Sequence, residues 1–218
     1  MNRIILFSRI AIVAVSLAVP GFGQEQWETG VAGGYGFYKN VTATNARGEA
    51  SVGFKSGVAL SAVAGNDINN WLGGEIRYTY RRNDLTVSNG ALNAQFSGDS
   101  HIINYDFVFH FAPKASRVRP FLAGGAGVKY YRGTGKETAT QPLIQFVALT
   151  KTGQVGPVVS FGGGVKIHLS PRLLLRLEAH DYTGPFPRQV IAPVPGAKVS
   201  GWLHDIVPMA GLSFTLGR

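Results

Sequence analysis

The stretch QVGPVVSFGGGVKIHL, residues 154–169, decides the fold of this chain. Every second position in most of it is bulky and apolar: Val155, Val159, Phe161, Val165, Ile167 and Leu169. Between them stand Gly156, Ser160, Gly162, Gly164, Lys166 and His168. A β-strand turns successive side chains to opposite faces, so this period of two describes a strand with two unlike faces.

Seven further stretches repeat the pattern. Trp27 to Tyr38 sets Trp27, Val31, Tyr35 and Phe37 against Glu28 and a row of small residues. About Ser51 to Ala64 carries Val52, Phe54, Val58, Leu60 and Ala62 on one face. Trp71 to Arg82 sets Leu72, Ile76, Tyr78 and Tyr80 against Glu75, Arg77, Thr79 and Arg81. His101 to Ala112 sets Tyr105, Phe107, Phe109 and Phe111 against Asn104, Asp106 and His110. Val118 to Tyr131 alternates less cleanly, because Phe121 falls among the small residues. Arg172 to Tyr182 and Trp202 to Leu216 complete the set of eight. The connectors after the second, fourth and sixth stretches are short, and the other four are long and polar or Pro-rich. Such strict alternation predicts an all-β, eight-stranded antiparallel up-and-down transmembrane β-barrel. It places the N-terminus on the periplasmic side and the four long loops outside.

Composition points to the same solvent. Charged residues are only 15% of the chain, while 29 of its 218 residues are Gly. That is little charge for a water-facing surface. A soluble lipocalin-like binding barrel would turn the bulky face inward. The small residues on the other face instead suit the crowded interior of an eight-stranded barrel. Trp27, Tyr38, Trp71, Tyr78, Tyr80, Tyr130 and Trp202 fall near strand ends, where aromatic girdles meet headgroups. Residues 1–24 read as an export signal, with Arg3 and Arg9 before the apolar run from Ile10 to Val19. That leaves 25–218 as one barrel domain. The net charge is +9, or 9 − 2 = +7 without the signal. A basic balance suits anionic lipid surfaces, and the scattered Lys and Arg form no stripe for nucleic acid.

The chain resembles the small eight-stranded outer-membrane β-barrel family of the OmpA and OmpX type. The resemblance rests on Gly33 to Gly36, the block Trp71 to Tyr78, the run Arg119 to Gly127, and the closing Gly211 to Leu216. It implies a bacterial outer-membrane location and assembly by the barrel-assembly machinery. Family members often end on an aromatic residue, whereas this chain runs past Phe214 to Arg218. Larger relatives carry a peptidoglycan-binding domain after the barrel, and none is expected here.

The sharpest candidate site is the lumen. Glu75, Asp106, Glu178 and Asp205 share the inner face with Arg77, Lys129, Lys166, Arg176, His110, His168 and His180. Charges in so narrow a space must pair. The expected result is a charged network that plugs the barrel, with a narrow ion path as the alternative. A lipid A-modifying hydrolase would use Glu178 and His180 with a nucleophilic Ser. No Ser adjoins His180, and Ser160 or Ser200 could reach it only through folding, so no enzyme is expected. The five His lack metal-ligand spacing, and no metal or cofactor is expected. Lys39, Arg47, Arg82, Lys136, Lys151, Arg188 and Lys198 lie in the long loops or at their edges. Expected partners are outer-membrane lipid and lipopolysaccharide, with an extracellular partner at the loops as a further option. The expected role is structural or surface-interacting, as a monomer.

Overall fold

The computed structural model describes residues 27–138 and 140–216, all strand, turn or loop. The export-signal segment lies outside the described residues. In chain order the strands are β1 (Trp27–Lys39), β2 (Val41–Asn45), β3 (Gly48–Phe54), β4 (Gly57–Asp67), β5 (Leu72–Arg82), β6 (Leu85–Ser88), β7 (Asn93–Phe96) and β8 (Gly98–His110). They continue as β9 (Val118–Gly133), β10 (Val147–Leu149), β11 (Gly153–His168), β12 (Leu173–Pro185), β13 (Ile191–Pro193), β14 (Lys198–Ser200) and β15 (Trp202–Leu216).

Eight of these close an antiparallel barrel in the order β1-β15-β12-β11-β9-β8-β5-β4. Closure leaves no sheet edge, which hydrocarbon would penalise by several kcal/mol, roughly, per unpaired backbone group. The seam between β1 and β15 keeps one register from Trp27↔Leu216 to Lys39↔His204, interrupted opposite Pro208, which has no N–H to give. The bulky positions face outward, as the alternation requires: Phe161 is 63% exposed beside Ser160 at 1%. Val31, Phe107, Phe109, Val155 and Leu212 share that outer belt.

Two sequence expectations change. The second stretch, Ser51 to Ala64, is two strands in two different sheets. Val52 and Phe54 are buried in a separate core, whereas Val58 and Leu60, on the same parity, face outward. Both environments select apolar residues, so alternation runs through the break at Lys55 and Ser56 without a signal. Tyr38, expected in the girdle, faces inward and packs against that core.

The core belongs to a cap. All four long loops emerge at one end, where β14-β2-β3-β6-β7 form a five-stranded sheet and β10-β13 a two-stranded one. Val52, Phe54, Leu85, Val87, Phe146, Val147, Ile191 and Leu203 are among its buried residues. Each such side chain contributes about 1.5–3 kcal/mol when fully buried. Tight turns suit their residues: Gly48 and Gly90 have φ of +124° and +88°, a region that costs glycine little. The three short connections form the opposite, open end.

Candidate functional site in the barrel lumen

Small inward residues leave room for long ionic ones. A Cβ at Gly36 would overlap the Arg81 guanidinium, and one at Gly125 would meet Asp106. The ionic side chains fill the cylinder in three tiers. Nearest the open end, Glu28 accepts from Lys166 Nζ at 2.6 Å, Arg176 Nη1 at 2.8 Å and Ser213 Oγ at 2.6 Å. Beside it, Arg119 donates to Asp67 at 2.5 Å and to the carbonyls of Ala112 and Asn70.

The middle tier is a square of two acids and two arginines. Arg77 reaches Glu75 and Glu178, each at 2.6 Å, and Arg176 reaches the same pair at 3.0 and 2.9 Å. All four are buried. Next to the square, His180 stacks on Tyr182 and stands 3.7 Å from Glu178 and 3.9 Å from Asp106. The upper tier joins Asp205 to Arg81 at 2.9 Å and to Lys129 at 2.7 Å. Lys129 also donates to the Tyr38 hydroxyl at 2.9 Å and lies over the Tyr38 and Tyr131 rings. Those rings pack on Phe54, so the cap's core rests directly on the upper tier.

The lumen thus holds Glu28, Asp67, Glu75, Asp106, Glu178 and Asp205 against Arg77, Arg81, Arg119, Lys129, Lys166 and Arg176, a sum of 6 − 6 = 0. Eleven of the twelve are ion-paired with an opposite charge, as burial demands, whereas Asp106 has only His180, at 3.9 Å, as an ionic partner among the described residues. Ten of the eleven expected lumen residues line the interior: Glu75, Arg77, Asp106, His110, Lys129, Lys166, Arg176, Glu178, His180 and Asp205. His168 has the right parity but sits at the open mouth, hydrogen-bonded to the Ser116 carbonyl. It is outside the ionic network.

The candidate residues leave out Glu28, Asp67, Arg81 and Arg119, although the alternation puts Glu28 and Arg81 on the inner face. Arg119 shares the inner parity of Phe121, Ala123 and Lys129 on β9, so period two could have added it as well. Asp67 ends a strand beside a turn, where no pattern marks it. Phe121, the residue out of place by composition, is buried in the lumen against His110, with Lys166 and Arg176 over its ring.

The arrangement constrains chemistry. Ligand atoms of Glu75, Glu178 and His180 come close enough to surround a cation, but Arg77 and Arg176 already engage both carboxylates. Ser160 donates weakly to Asp106 at 3.4 Å, deep inside the barrel, and Ser200 lies in the cap sheet beside Thr42. Glu178 and His180 therefore face the plugged interior, away from any acyl chain in the leaflet.

The model of the outer membrane protein beta-barrel domain matches residues 10–184. The chain belongs to that family. The barrel is therefore an outer-membrane protein, and solved structures share its fold. OprG from Pseudomonas aeruginosa is 13% identical with a TM-score of 0.57, covering 89% of this chain and 97% of that one. Neisserial surface protein A is 14% identical with a TM-score of 0.52, covering 87% and 96%. AlkL, solved in lipid bilayers, is 13% identical with a TM-score of 0.51, covering 100% and 98%. At such identities the likeness concerns the fold. None of the curated proteins matches the sequence.

Proposed function

We propose that this chain is a sealed outer-membrane scaffold that presents a folded surface to the outside, in a structural or surface-interaction role. The observation that carries the reading is the lumen, filled by three ion-paired tiers and roofed by the hydrophobic core of the cap. The capped end faces outward and the N-terminus starts on the periplasmic side, because long loops lie outside in such barrels and tight turns lie within. The barrel acts as a monomer, inserted by the barrel-assembly machinery.

Charge supports an outward partner rather than a permeant. The lumen is neutral, whereas the capped end carries Lys39, Arg47, Lys55, Arg82, Arg132, Lys136, Lys151, Arg188 and Lys198 against Glu49, Asp84, Asp99, Glu137 and Asp181, or 9 − 5 = +4. Lipopolysaccharide phosphates are the anions that surround that end. A small pore is the second reading, favoured by the imperfectly paired His180 and Asp106. Planar-bilayer recording separates the two. The sealed reading expects no unitary steps, and conductance of porin size refutes it.

A further inference from the structure

The outer wall changes character where β5, β8 and β9 approach the cap. Register sets Tyr80, His101 and Tyr130 side by side across the three strands. One row nearer the cap it sets Arg82, Asp99 and Arg132 side by side. Tyr78 lies a row below, its hydroxyl 2.8 Å from His101 Nδ1. The imidazole packs 5.4 Å from the Tyr80 ring and 6.3 Å from Tyr130. The result is a tilted aromatic shelf under a row of charge.

The charge row has spare donors. Arg132 spends Nε and Nη2 on Asp99, at 2.9 and 2.7 Å, and its side chain stays 47% exposed. That bidentate grip fixes the guanidinium and leaves Nη1 without a partner among the described residues. Arg82 is exposed, and its side chain makes no ion pair or hydrogen bond among the described residues. Two strand spacings separate their backbones, about 10 Å, so two long arginines can grip one phosphate or hold two neighbouring ones. Tyr rings at this depth offer flat apolar faces and polar tips at the membrane interface.

We infer that this wall is a docking site for a phosphorylated saccharolipid, the lipid A portion of lipopolysaccharide. The Tyr78, Tyr80 and Tyr130 rings pack against the sugar and the upper acyl chains. Arg82 and Arg132 bind phosphate, and Asp99 holds Arg132 in position. The inference deepens the proposed surface role and rests on the capped end facing outward.

The test uses the full chain in phosphatidylcholine nanodiscs, titrated with bis-phosphorylated lipid A and read by native mass spectrometry. Expected is one tightly held lipid A per barrel, not displaced by inorganic phosphate or phosphatidylglycerol. The Arg82→Gln/Arg132→Gln double variant binds roughly tenfold more weakly or worse, the loss of at least one charge-assisted contact. Lys136→Gln/Lys151→Gln, on the cap, leaves binding unchanged. Wild-type affinity in the arginine double variant overturns the inference. So does an equal loss in the cap control, or equal competition by phosphate or phosphatidylglycerol. Orientation is read separately. The chain has no cysteine, so Arg47→Cys gives one label site. Failure of a membrane-impermeant maleimide to label it on intact cells topples the outward reading, whatever lipid A does in nanodiscs.

Discussion

Replacing Arg176 by Met tests whether the lumen is a sealed ionic plug or a hydrated channel. Arg176 touches three carboxylates: Glu28 at 2.8 Å, Glu75 at 3.0 Å and Glu178 at 2.9 Å. Glu28 retains Lys166 and Ser213 after the change. Glu75 and Glu178 are left to share Arg77, so the buried square moves from 2 − 2 = 0 to −1. Removing one partner from a buried pair costs about 3–5 kcal/mol, because an uncompensated charge remains in low dielectric. Arg176→Met is therefore expected to lower unfolding stability by roughly that amount. Adding Glu75→Gln restores a one-to-one match with Arg77 and is expected to recover more than half of the loss. Equilibrium urea unfolding in phospholipid vesicles, followed by the fluorescence of Trp27, Trp71 and Trp202, measures both variants. A loss below about 1 kcal/mol, typical of an exposed ion pair, would falsify the sealed lumen. Absence of rescue in the double variant would refute the charge-balance argument while leaving the packing intact.

Other perturbations separate the cap, the plug and the wall. Phe54→Ala removes the ring held between Tyr38 and Tyr131; it should cost the cap about 3–5 kcal/mol. Limited proteolysis should then cut within 40–56 while the barrel keeps its heat-modifiable gel band, and unchanged protection would contradict a cap with its own core. Gly36→Val drives a side chain into the Arg81 guanidinium and breaks its contact with Asp205. Its urea midpoint should fall well below that of Gly156→Val, whose Cβ meets nothing within 4 Å; equal midpoints contradict the tight upper tier. Spin labels at Phe109 and Leu175 should respond to lipid-dissolved oxygen, and preferential quenching by aqueous reagents would show that the bulky face is not lipid-facing.

The eight barrel strands were legible because period two is a local property that the membrane enforces along every strand. Outward side chains meet lipid and inward ones meet a narrow cylinder, so Phe161 and Ser160 differ in kind within one strand. Most of the lumen acids and bases, Glu75 and Arg176 among them, share that inner parity, whereas Asp67 at a strand end does not announce itself. The cap was hidden for a related reason. Its strands are three to seven residues long, interrupted by turns, and hold their core through pairings such as Val199↔Ala43 that span most of the chain. No local pattern announces a contact between residues 43 and 199. Val52 and Phe54 then lent their alternation to the neighbouring barrel strand and masked the boundary. Phe121, which the alternation set among the small residues, does face inward. A large aromatic residue can face inward where arginine and lysine provide a cationic cover for its ring.

The cap and the plug are mechanically one body, and that bears on what the outer surface can do. Tyr38 and Tyr131 are the floor of the cap's core and the ceiling of the upper ionic tier. Lifting the cap would uncover Lys129, Arg81 and Asp205, and the cost of exposing that apolar floor would fall on the same step. Reorganising Asp205 would in turn remove the charges on which those rings rest. Loops tied down in this way lose little further entropy when a partner binds, so each contact they form adds more to affinity. Transport makes the opposite demand, a lumen that opens by small rearrangements. The tie between the two layers therefore supports the proposed rigid presenting surface over a gate.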